Sequence, residues 1–175
     1  MIFDMHKAAG LLLVVAIAQL TLFNSLELVD GSLDVLLCVL VAIALVRGAP
    51  FGALAGFWAG LVADTASLGT LGLTSLLLVL VGYGVGWFGT ATSARSSQFA
   101  RVSIAVAGAT VVFFVGSALV TVFLGTSITF GSSLVRSMLP TLALNLVFAY
   151  PIFLGVRLIF PVSARTAREV IAAAH

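Results

Sequence analysis

Apolar runs of about 20 residues follow one another along this chain, each the length a helix needs to cross a bilayer core of roughly 30 Å. A helix satisfies its own backbone polar groups inside hydrocarbon, so repeated runs of this kind leave few alternatives. The runs are continuous rather than alternating apolar and polar, which disfavours a β-barrel. Of the 175 residues, 62% are hydrophobic and only 8% charged, and the mean hydropathy is +1.28. So little charge cannot cover the surface of a soluble domain of this size. The chain reads as an all-α integral membrane protein folded as one bundle.

Six transmembrane helices are expected, at about 8–24, 33–46, 49–63, 71–89, 102–124 and 135–160. Arg47-Gly48 turns the chain after the second, and Pro50 suits the first turn of the third, where its missing N–H costs nothing. Longer polar connections fall only at 90–101 and 125–134, so 1–162 is expected to be a single six-helix domain and 163–175 a short cytoplasmic tail. Lys and Arg orient the bundle. With the N-terminus inside, Lys7, Arg47, Arg95, Arg101, Arg165 and Arg168 are cytoplasmic, Arg157 snorkels to the inner headgroups, and Arg136 alone lies outside. Glu27, Asp30, Asp34 and Asp64 gather on that outer side. Both termini are therefore expected in the cytoplasm, with the chain a multi-pass protein. One alternative is removal of the first span as a signal peptide at "VAIAQ", 15–19, although the apolar run continues past it to Phe23.

Several function classes fall away. A net charge of +2 without a basic cluster does not suggest nucleic acid as a partner. Cys38 is alone, so it can form no intramolecular disulfide, lacks companion zinc ligands, and reads as a small buried hydrophobe. His6 and His175 lie at the ends, no span contains a His, and no Asp/Glu pair has metal-ligand spacing. Neither catalysis nor a cofactor is expected.

What remains is a pattern of glycines and isolated polar residues. Gly48, Gly52, Gly56, Gly60 and then Asp64 recur every fourth residue. At 100° per residue such a row drifts only about 40° per step, so its members share one slanting stripe. Glycines spaced this way let another helix approach closely, and Gly82 and Gly86 repeat the spacing in the fourth span. The third span is thus expected near the centre of a tight bundle, with Asp64 turned toward the packed interior.

Asp64 sits at the wrong end of its helix, where a carboxylate faces the negative pole of the dipole. Asp34 sits at the right one, and it or Ser32 is expected to cap the second span. Counted from the inner turn, both acids lie roughly 20–24 Å away, at similar depth on neighbouring spans. Arg136 opens the sixth span at comparable depth and is the expected partner of Asp64, Asp34 or both. Asn145, deeper on that span and near Pro151, is expected to form an interhelical hydrogen bond.

The stretch 32–86 resembles the central region of the MreD family of rod shape-determining membrane proteins. Asp34 matches an acid that opens the family's second span. Gly56, Gly60, Leu61 and Asp64 match a glycine-spaced signature, and Leu71-Gly72 matches an "LG" after the loop; Leu33 stands where the family usually has proline. The resemblance covers about the first half of the chain. It implies a non-catalytic scaffold in the bacterial inner membrane that partners MreC and, through it, MreB, RodA and a class B penicillin-binding protein. It also implies an architecture similar to the substrate-binding subunit of energy-coupling-factor vitamin transporters. Such a vitamin-binding subunit is the main alternative function, since fold alone does not separate the two.

Overall fold

The computed structural model describes residues 2–19, 34–67, 72–92, 97–123 and 132–160, with side chains at 2–6, 67, 121 and 132–137 outside that description. The described residues form α-helices and no strand: α1 (Ile2–Ala18), α2 (Val35–Arg47), α3 (Ala49–Ser67), α4 (Leu73–Ala91), α5 (Gln98–Phe123) and α6 (Ser132–Ile159). Three stretches are long and apolar enough to cross a membrane, Leu73–Ala91, Gln98–Val120 and Met138–Ile159. The outward faces agree with a lipid environment: Leu13, Val14, Phe57, Trp58, Leu80, Trp87, Val112 and Leu158 are all exposed.

Helix limits depart from the sequence expectation in two instructive places. α1 begins at Ile2, well before Ala8, so its polar first turns are helical as well. α5 begins at Gln98 rather than Val102, because the Ser97 Oγ accepts a hydrogen bond from the Ala100 N–H and caps the helix. The tail from 163 and the loop acids Glu27 and Asp30 lie outside the described residues.

The centre of the bundle is α2, not the third helix as the glycine row suggested. Leu36 through Ala44 are all buried, and α2 packs against every other helix. Its sequence, VLLCVLVAIALVR, is apolar on all sides, which is the composition of a helix surrounded by protein. α3 buries only one stripe and leaves Leu54, Phe57 and Trp58 on its outer face. α1 joins the core through Ala8, Leu12 and Ala16.

Gly48 separates α2 from α3 by itself. Its N–H donates to the Ala44 carbonyl and its carbonyl accepts from the Gly52 N–H, so it ends one helix and starts the next. That double duty needs φ +86°, a conformation in which a side chain is strained. A Cβ at Gly48 would meet nothing within 4 Å. Its glycine therefore serves the turn, unlike the members of the row that follow.

Candidate functional site

Where α3 and α4 face each other, the glycines at 52, 56, 60, 82 and 86 meet backbone. A Cβ on Gly52 would strike the Gly82 carbonyl, and one on Gly82 the Gly52 carbonyl; Gly56 lies against Leu78, Gly60 against Ser75 and Gly86 against Ala49. These pairs run in strict antiparallel order, with numbers rising on α3 as they fall on α4. Two helices can approach this closely only where neither carries a side chain between them. Asp64 is the next position on the stripe, and there α4 has reached its first turn.

That placement explains the acid. The Asp64 Oδ2 accepts from the Gly72 N–H at 2.7 Å and the Oδ1 from the Thr74 N–H at 3.2 Å. The Ser75 N–H and the Ser75 Oγ each lie 3.4 Å from Oδ2. The N-cap residue of α4 is Gly72, at φ +96° and with no side chain to offer, so the cap arrives from the neighbouring helix. The unfavourable pole of α3 is offset by the favourable pole of α4, whose unpaired N–H groups and dipole both suit a carboxylate. Asp64 is buried, with 2% of its surface exposed.

A second polar cluster joins α1, α2, α5 and α6. The Asp34 Oδ1 accepts from the Leu37 N–H at 3.0 Å, capping α2, and lies 3.4 Å from the Gln19 Nε2. Gln19 also accepts from the Leu36 N–H at 2.8 Å. From the other side the Asp34 N–H donates to the Asn145 Oδ1 at 3.0 Å, while the Asn145 Nδ2 donates to the Thr110 Oγ1 at 3.2 Å. The Asn145 carbonyl lies 3.8 Å from the Cys38 Sγ, which is buried. Asn145 and Thr110 are fully buried, so each supplies what the other lacks.

The structure thus brings Asp34 together with Asn145, and sets Asp64 apart in the α3–α4 pair. Arg136 is on α6 at a position whose side chain lies outside the described residues, and so does its pairing with either acid. Gln19, which the sequence marks as a weaker candidate for the same interhelical role as Asn145, joins the cluster; sequence reasoning missed Thr110, an ordinary polar residue until the fold places it. Among the described residues no three His, Cys, Asp or Glu side chains gather to hold a metal. The chemistry available at both clusters is hydrogen bonding to helix starts.

Asn145→Ala is expected to lower the thermal midpoint of the detergent-solubilised protein by several degrees, reflecting a loss of about 1–2 kcal/mol. Thr110→Val should cost less, because Asn145 then keeps its bond from Asp34. Equal midpoints for Asn145→Ala and wild type would mean the cluster contributes nothing.

A family model described as rod shape-determining protein MreD matches residues 7–162. The chain belongs to the MreD family. The match extends beyond the first half of the chain, as far as residue 162. Comparison with curated proteins and with solved structures returned no match. MreD membership makes this a shape-determining membrane protein, and nothing found supports the vitamin-transporter alternative. It also gives the glycine stripe and Asp64 a setting: both fall within the matched span.

Proposed function

We propose that the chain is a non-catalytic scaffold of the bacterial cell-elongation complex, spanning the inner membrane six times with both termini in the cytoplasm. The family match carries this reading. It partners MreC and, through MreC, helps position peptidoglycan synthesis by RodA and a class B penicillin-binding protein relative to MreB filaments. The consumption of Asp34, Asp64 and Asn145 in ties between helices supports a scaffold, because their hydrogen-bonding capacity is directed at neighbouring helices. Lys7, Arg47, Arg101 and Arg157 at the inner end support the orientation. Asp64, by fixing where α4 starts, shapes the outer end of the α3–α4 pair that MreC reads.

A mild-detergent pull-down of the tagged chain from its own host, with partners identified by mass spectrometry, tests this. Recovery of a bitopic MreC-like protein with cell-wall synthases is the expected result. Recovery of a coupling subunit with paired ATPases would overturn it.

A further inference from the structure

At the end of the bundle opposite the two acids, a cavity of about 220 Å³ opens between α2, α5 and α6. Its lining is divided. Leu45 and Val46 from the last turn of α2, Val102 of α5 and Phe153 of α6 are apolar, whereas Gln98, Arg101 and Arg157 are polar or cationic. Among the described residues, none that lines the cavity is acidic.

Both guanidiniums are tied to neighbouring helices. The Arg101 Nη2 donates to the Gly89 carbonyl at 2.8 Å, in the last turn of α4, and the Arg157 Nη1 donates to the Gln98 Oε1 at 3.1 Å. The Arg101 Nε is buried and has no acceptor among the described residues. Gln98 is the first residue of α5, so the positive pole of a 26-residue helix faces the same opening. Two guanidiniums and a helix N-terminus call for an oxyanion, and arginine forks suit phosphate oxygens in particular. The volume is below the ~300–1,000 Å³ usual for a drug-sized ligand, which favours a compact group over a whole metabolite. The apolar wall beside it suits an attached hydrocarbon chain.

We propose that this cavity binds the phosphate of an anionic lipid headgroup, held by Arg101 and Arg157 with Gln98, its acyl chain lying along Leu45, Val46, Val102 and Phe153. Such a lipid ties the inner ends of α2, α5 and α6 together. The placement in the inner leaflet rests on the orientation proposed above, but binding itself does not. A failed pull-down would leave the cavity's chemistry intact, and a failed lipid measurement would leave the scaffold reading intact.

The test is native mass spectrometry of the purified full chain in mild detergent, titrated with phosphatidylglycerol or with phosphatidylcholine of the same acyl chains. Wild type is expected to hold phosphatidylglycerol about tenfold or more tightly than phosphatidylcholine. Arg157→Gln should bring the two lipids level, and Arg157→Lys should keep most of the preference. Gln98→Glu is the decisive variant, since an acid in the first turn of α5 suits the helix and preserves the fold while repelling an anion. It is expected to abolish the preference. Equal affinity of wild type for the two lipids, or an unaltered preference in Gln98→Glu, would overturn the proposal. Displacement of phosphatidylglycerol by an equal concentration of inorganic phosphate would also overturn it, assigning the cavity to a free anion.

Discussion

Gly56→Leu is expected to leave no monodisperse protein on size-exclusion chromatography in mild detergent, while Gly84→Ala elutes as wild type does. Both glycines lie inside long helices, Gly56 in α3 and Gly84 in α4, and differ in what a side chain would meet. A Cβ at Gly56 would fall on the Leu78 carbonyl and 3.0 Å from the Val79 nitrogen, and backbone cannot rotate aside as a side chain can. At Gly84 it would meet nothing within 4 Å. Overpacking against side chains costs about 1–3 kcal/mol, and here the two helix backbones themselves must separate, so the cost should exceed that range. Separation also draws Asp64 away from the α4 start, adding the loss of its hydrogen bonds. Gly84→Ala should gain about 0.5–1 kcal/mol from reduced backbone freedom in the unfolded chain. Normal folding of Gly56→Leu would mean that α3 and α4 do not pack along the glycine stripe.

Asp64→Ala is the second large effect. The substitution takes the acceptor from the N–H groups of Gly72, Thr74 and Ser75 at once. Hydrogen bonds to a charged group contribute about 1.5–3 kcal/mol, and a helix cap about 1 kcal/mol, so a net loss of about 3 kcal/mol is expected. Asp64→Asn keeps one acceptor oxygen without the charge and should lose roughly half as much. Thermal unfolding in detergent should therefore rank wild type above Asn above Ala. A midpoint for Asp64→Ala within a degree of wild type would show that the α4 start is held by something else.

What the sequence made legible is whatever depends on local spacing. The recurring apolar runs announce the helices, the four-residue glycine period announces a close helix contact, and Asp34 directly before VLLCVL announces a cap. The partner of Asp64 was not legible in that way, because the N-cap of the helix it caps lies eight residues further along the chain. Gly72 at that start gives no hint that the cap comes from elsewhere. The Arg136 pairing was expected because a buried carboxylate in an apolar chain calls for a cation, yet helix N–H groups also supply positive potential. The Gln19–Asp34–Asn145–Thr110 cluster contains a bond between residues 111 positions apart, and no periodicity links its members. The central place of α2 did have a signal. Its apolar character on every side marks a helix enclosed by others, whereas Phe57-Trp58 marks an outward face on α3.

Amide hydrogen exchange tests most directly whether the two acids serve to fasten helix starts. Asp64→Ala is predicted to speed exchange at Gly72, Thr74 and Ser75 by tenfold or more, the equivalent of at least about 1.4 kcal/mol of lost protection, with Leu37 unchanged. Asp34→Ala should do the reverse, exposing Leu37 and sparing the start of α4. Unchanged protection of Gly72, Thr74 and Ser75 in a folded Asp64→Ala protein would contradict the assignment and reopen Asp64 as a group held for a ligand.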